Sequence, residues 1–262
     1  MFRCLFVTSF NRDIYNATGV NLVRSFCRYA GEARLLACYE QNLSAEIHRH
    51  SERLLTHDLD GSEFLHWWLE SNKQYIPITL GGSAEPCDCP SPQDPFGDHR
   101  ERCVWSWFNK NASRWFRKIV ALDHALRIDG VDAIVWIDSD CCFLKTLPLV
   151  EIEAWFGDGS VFFLRGPDRP VLEAGVIGFR MDAGGPAVLN SAIERYRSGR
   201  FREARRWDDG YQFQLALQEN PDIVATDCGR SADERGHVVS GSRLGEFIAH
   251  SKGTHKYSGI MS

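Results

Sequence analysis

The sequence predicts an α/β fold with a mixed, mostly parallel central sheet flanked by helices. Three observations lead there. Short apolar runs of β-favouring residues alternate with segments of helical spacing. One such run, Ala133-Ile134-Val135-Trp136-Ile137, ends abruptly in Asp138-Ser139-Asp140. The 262-residue chain is 44% hydrophobic and 25% charged, the composition of an ordinary soluble globular protein that can bury a large core without staples. That length suits a single domain over residues 1–262.

Each element follows from local pattern. Phe2 to Phe10 is apolar enough for a buried strand, and Thr8-Ser9-Phe10-Asn11 is the segment leaving it. Ala17 to Tyr29 carries Val20, Val23 and Phe26 at helical spacing. Ala33 to Tyr39 is a second strand, and Leu43 to Leu55 and Gly61 to Ser71 are expected to be helical. Strand–helix–strand alternation calls for a parallel sheet with crossover helices. Residues 81–99 break the pattern with four prolines, three glycines and almost no aliphatic side chain, and are expected to form an irregular loop or insertion. Helical spacing returns over Trp105 to Leu126, ahead of the strand that ends in the two aspartates. Val161 to Leu164 and Ala174 to Met181 are further strands. Pro186 to Tyr196 and Asp208 to Gln218 are helices, and Asp222 to Thr226 is a short strand.

Charge and cysteine content narrow the function. The formal net charge of −5 gives no nucleic-acid footprint. No window approaches the ~18 apolar residues of a membrane span, and the N-terminus lacks the apolar core and cleavage site of a signal peptide. Nine cysteines, odd in number and scattered, point to reduced thiols and a cytoplasmic setting. Cys87, Cys89 and Cys103 have too few partners for a structural zinc site.

The acidic pair carries the chemistry. Residues two apart in an extended segment face the same side, so Asp138 and Asp140 repel each other unless a cation lies between them. Strand ends in α/β sheets are also where ligands bind. The alternative is plain: Asp138 opens a turn and Asp140 caps the next element. Three more features stand in order along the chain: the glycine-punctuated strand Glu173-Ala174-Gly175-Val176-Ile177-Gly178-Phe179, the acidic start Trp207-Asp208-Asp209-Gly210, and the run His250-Ser251-Lys252-Gly253-Thr254-His255-Lys256.

In these residues the chain resembles the GT-A-fold glycosyltransferases, which use nucleotide-sugar donors. Asp138-Ser139-Asp140 is similar to their Asp-x-Asp motif, Glu173 to Phe179 to their glycine loop, and Asp208-Asp209 to the acidic pair at a helix start. His250, Gly253 and Lys256 are similar to the C-terminal His-x-x-Gly-x-x-Lys of glycogenin-like and bacterial galactosyltransferase-like retaining enzymes, with Tyr257-Ser258 in place of the usual Pro-Trp. The resemblance implies an Mn²⁺ or Mg²⁺ ion on Asp138, Asp140 and His250. It also implies a nucleotide-diphosphate sugar, UDP- rather than GDP-linked by preference, and a carbohydrate or glycoconjugate acceptor. Lys252, Gly253 and Lys256 would hold the leaving diphosphate. Thr8, Ser9, Phe10, Asn11 and Tyr15 would receive base and ribose, joined by Ser139, Gly175 and Asp138. Arg114, Arg117 and Lys118, grouped on one helix face by their spacing, are candidates for the diphosphate, with a solvated basic face as the alternative. Asp208, Asp209 and Glu173 are the candidate catalytic residues: helix cap, hydroxyl ligand or general base for the first two, and a sugar-hydroxyl contact for Glu173. Two other functions compete. One is a degenerate scaffold that binds carbohydrate or a partner protein. The other is a sugar-1-phosphate nucleotidyltransferase, which the absence of glycine between Phe2 and Asn11 disfavours.

Overall fold

The computed structural model describes residues 2–51, 53–73, 112–167, 169–204, 206–229 and 238–251. Its centre is a seven-stranded sheet. The strands are β1 (Cys4–Phe10), β2 (Arg34–Tyr39), β3 (Leu54–Asp58), β4 (Ala133–Ile137), β6 (Val161–Leu164), β7 (Glu173–Arg180) and β8 (Ala225–Asp227), in the order β3-β2-β1-β4-β7-β6-β8. β1 pairs in parallel with β2 and β4, β2 with β3, and β6 with β8; β7 runs antiparallel to both β4 and β6. The sheet is therefore mixed and mostly parallel, as the sequence predicts. β5 (Cys141–Phe143) and β9 (Ile248–His250) form a separate antiparallel ribbon.

Apolar side chains cover both faces, as parallel strands require. Cys4, Phe6 and Phe10 of β1 join Ala133, Val135 and Ile137 of β4 on one face, under α1 (Val20–Tyr29) and the β5–β9 ribbon. Leu5, Val7, Ile134 and Trp136 enter the other core, beneath α3 (Glu63–Asn72), α4 (Ala112–Ala125), α6 (Gly184–Arg197) and α7 (Asp209–Gln218). The alternation along each strand is the period-2 geometry that sends neighbouring side chains to opposite faces.

Several expectations need correction. The segment from Leu43 to Leu55 is not one helix: α2 (Ser44–His48) is short, and Leu54 already begins β3. β3 is an edge strand with a half-buried, partly polar sequence, so it lacks the apolar run by which buried strands are found. β5, β9 and α5 (Leu149–Phe156) escaped notice because two are three residues long and the third is a short helix of eight residues. Residues 81–99, Trp105, Trp107 and the first part of the expected helix before Ala112 lie outside the described residues.

Candidate functional site

The C-terminal ends of β1, β2 and β4 lie along one edge of the sheet, where antiparallel β7 begins. Leaving β4, the chain turns through Asp138, Ser139 and Asp140 into β5. The Asp138 amide donates to the Gly175 carbonyl at 2.8 Å, and the Cys141 amide donates to the Asp138 carbonyl at 3.0 Å. β9 is paired with β5 so that His250 lies directly across from Cys141. The Ser251 amide donates to the Asp140 carbonyl at 3.0 Å. Strand pairing thus brings the C-terminal histidine to the acidic turn.

The His250 side chain is fully buried, with Nε2 3.0 Å from Asp140 Oδ1 and 3.9 Å from Asp138 Oδ2. Donor atoms of Asp140, Cys141 and His250 all lie within 4.8 Å of one another, the one such His/Cys/Asp/Glu group among the described residues. Burial above all, and then Asp140 and Asp138, push the Cys141 thiol well above its ordinary range. Gly175 explains the glycine in β7. A Cβ there would lie 2.5 Å from His250 Cε1 and 2.8 Å from Nδ1, so only a bare backbone leaves room for the imidazole. Gly178 has a different reason: its Cβ would stand 2.1 Å from the Phe162 ring, a packing contact inside the sheet.

On its other oxygen Asp138 faces a second cluster. Trp136 Nε1 donates to Asp138 Oδ1 at 2.6 Å, and Lys118 Nζ lies 3.1 Å from the same atom. Lys118, only 5% exposed, also donates to the Ala174 carbonyl at 2.7 Å, contacts Asp209 Oδ2, and places its ammonium 4.8 Å from the Trp136 ring centroid. Burial works against a charged lysine, but Asp138 and Asp209 outweigh it and hold the Lys118 pKa above the lysine range. Burial raises the Asp209 carboxyl; Lys118 opposes that shift, and Asp138 and Asp208 add to it.

The three candidate catalytic carboxylates each have a basic neighbour. Asp208 is the N-cap of α7, accepting from the Tyr211 amide at 3.2 Å, and its other oxygen accepts from Arg206 Nε at 2.8 Å. Glu173 accepts from Arg169 Nη1 at 3.1 Å and from the Gly175 amide at 3.1 Å. Asp209 holds Lys118 and accepts from the Gly210 amide at 2.9 Å.

Other candidate residues fall differently. Arg114, Arg117 and Lys118 do not act as one basic face. Lys118 is buried while Arg114, about 40° away around the helix, stays exposed. Arg117 grips Glu40 with two bonds of 2.6 and 2.8 Å, tying α4 to the end of β2. Asn11 Oδ1 accepts from the Ile14 amide at 2.9 Å, capping the helical turn that follows β1. Phe10 and Tyr15 are buried against each other, centroids 5.2 Å apart, so neither ring is presented to solvent as a stacking platform. Thr8 is fully buried and Ser9 half-buried. Ser139 sits half-buried between the two aspartates. Lys252, Gly253 and Lys256 lie outside the described residues. Sequence reasoning missed Arg169, Arg206, Cys141 and the indole of Trp136. Trp136 and Arg206 each stand two residues before an aspartate they bind, a local signal that was available.

No known family profile matches the sequence, and no curated protein does. In structure, the chain is similar to mouse xyloside xylosyltransferase 1 in its apo form, with a TM-score of 0.50 and 12% identity over 99% of this chain and 98% of that one. It is also similar to the apo form of the glycosyltransferase GlyE from Streptococcus pneumoniae TIGR4, with a TM-score of 0.45 and 13% identity over 87% of this chain and 45% of that one. What the first likeness establishes is the fold: this chain has the mixed α/β architecture of a GT-A glycosyltransferase.

Proposed function

We propose that the chain is a metal-dependent glycosyltransferase that moves a sugar from a nucleotide-diphosphate donor, UDP-linked by preference, to an acceptor hydroxyl with retention at the anomeric carbon. The observation that carries this reading is the meeting of His250 with Asp140 and Asp138, residues far apart in sequence, at the sheet edge where α/β folds bind ligands. Two carboxylates and an imidazole are a donor set that suits Mn²⁺, with Mg²⁺ favoured less because of the nitrogen. Charge supports it too. Asp138, Asp140, Glu173, Asp208 and Asp209 gather at this edge around Lys118, Arg169 and Arg206, and a divalent cation suits a place so rich in carboxylates.

When bound, such an ion neutralises the charge that grows on the leaving diphosphate. The remaining work belongs to the chain. Lys118 fixes the Asp138 carboxylate through one oxygen, leaving the other directed toward His250. Gly175 gives the imidazole its place, and its carbonyl anchors the Asp138 amide. Arg169 and Arg206 hold Glu173 and Asp208 in fixed orientations suited to sugar hydroxyls rather than to proton abstraction, because both carboxylates are already committed to guanidinium and backbone donors. Asp209 is buried against Lys118, which makes it a positioning group for the lysine. A site whose carboxylates are all engaged this way fits retention, where no dedicated protein base is required.

The test is a panel of UDP-, GDP- and CMP-sugars with Mn²⁺, read as hydrolysis or transfer. Turnover with one donor, abolished by chelation and by Asp140→Asn in a folded protein, is expected. No turnover with any donor, together with no heat stabilisation by UDP or GDP plus Mn²⁺, sinks the proposal.

A further inference from the structure

We infer that Cys141 is a further donor of the centre that Asp138, Asp140 and His250 form, so that the centre also takes thiophilic divalent cations of the Co²⁺, Zn²⁺ and Cd²⁺ kind through a cysteine thiolate. This rests on the proposed metal centre and extends it to a residue that the Asp-x-Asp pattern does not contain. Cys141 and His250 are directly opposed in the antiparallel β5–β9 pair, and opposed residues project to the same face. The turn before β5 sets Asp140 beside them, fixed by the Ser251 amide on its carbonyl. Carboxylate oxygen, sulfur and imidazole nitrogen consequently lie within 4.8 Å of one another. Donors that share one ion through bonds of about 2.0–2.3 Å are at most about 4.6 Å apart, so a small contraction completes the set.

Ligand chemistry separates the two kinds of metal. Hard oxygens favour Mg²⁺ and Mn²⁺, whereas a thiolate shifts preference to softer ions. Coordination forms a metal–sulfur bond as the S–H bond breaks; the proton leaves to solvent, and nothing is oxidised or reduced. A thiophilic cation would then occupy the centre in place of Mn²⁺ and act as its competitor. Cys142, the neighbouring thiol, points away by strand alternation and is not part of the group.

The experiment uses the full chain, kept reduced with a phosphine, and titrates it with Co²⁺ while recording its optical spectrum. A sulfur-to-cobalt charge-transfer band in the near ultraviolet is expected, lost in Cys141→Ser and in Asp140→Asn. Cys141→Ser should still bind Mn²⁺, measured by the paramagnetic resonance of the free ion. Cobalt d–d bands without the charge-transfer band, or a band that survives Cys141→Ser, overturn the role of Cys141 while leaving the oxygen–imidazole centre standing. Failure of the unsubstituted chain to bind either Co²⁺ or Mn²⁺ overturns both. Cadmium-113 magnetic resonance of the unsubstituted chain needs no variant. A downfield thiolate signal that rises as bound Mn²⁺ is released supports the inference, and an upfield oxygen–nitrogen signal, or a thiolate signal with Mn²⁺ retained, overturns it.

Discussion

At the scale of single residues, Lys118 and Gly175 carry the most consequence. Lys118 is a buried cation facing two carboxylates, and removing one partner of such a set leaves uncompensated charge in a desolvated place. Lys118→Met is expected to destabilise the fold by about 3–5 kcal/mol, read as a shift in denaturant midpoint at constant m-value. A change below about 1 kcal/mol would mean that the carboxylates find other partners. Gly175→Ala asks a different question. Its methyl would intrude on the imidazole at 2.5 Å from Cε1, so Mn²⁺ affinity is expected to fall on the order of 10- to 100-fold, as when the groups that orient a metal ligand are disturbed. Calorimetric titration measures it, and unchanged affinity would show that His250 is not a ligand. The acidic turn, Gly175 and His250 were legible because each residue type has few reasons to occur where it does. Arg169, Arg206 and Cys141 were not. Their place depends on which segments the fold lays side by side, and an arginine or a cysteine in a sequence carries no such address.

At the scale of elements, the buried strands β1, β4 and β7 were readable because two-sided burial makes them continuous apolar runs. The edge strand β3 was not, since one side faces less of the core and its residues are mixed. That same edge holds a pH-sensitive contact. His57 of β3 stacks on His124 of α4 with ring centroids 3.6 Å apart. Burial lowers both imidazoles from their ordinary 6.5. Arg127 lowers both further, against Asp58 at His57 and Asp123 at His124, and His57 adds its own repulsion at His124. A folded-state pKa below the unfolded one means that the unfolded chain binds protons first as pH falls through 6.5. The contribution of the pair is therefore fully present above that value and is lost on acidification, levelling off below the depressed folded values. Melting temperature is expected to drop between neutral pH and about pH 5.5, where most carboxylates are still ionised. His124→Gln should flatten the drop, and an equally steep profile in that variant would place the sensitivity elsewhere. Asp208 offers an element-scale test of another kind. Its side chain caps α7, so Asp208→Ala is expected to cost about 1 kcal/mol for the cap, with the lost contact to Arg206 in addition. Thermal unfolding of the variant beside Asp208→Asn, which keeps a capping oxygen, separates the two contributions.

At the scale of the whole molecule, the two cores and the sheet between them explain why a binding edge can exist at all. Both faces of the sheet are sealed by helices, which leaves the strand ends as the place where backbone termini, carboxylates and loops meet. Lys118 reaches this edge from α4, Asp209 from α7, Gly175 from β7 and His250 from β9, so each covering layer supplies a residue to the same turn. A ligand that bridges those elements binds the folded state only, and its free energy adds to folding. At a hundredfold excess over its dissociation constant the gain is about 2.7 kcal/mol, which for a domain of this size raises the melting temperature by about 5–10 °C. UDP with Mn²⁺ is expected to give a shift of that order, UDP alone a much smaller one, and Asp140→Asn to erase the difference between them. If the metal adds nothing to the nucleotide, the elements meet for structural reasons alone, and the charge balance at the acidic turn must come from elsewhere in the chain.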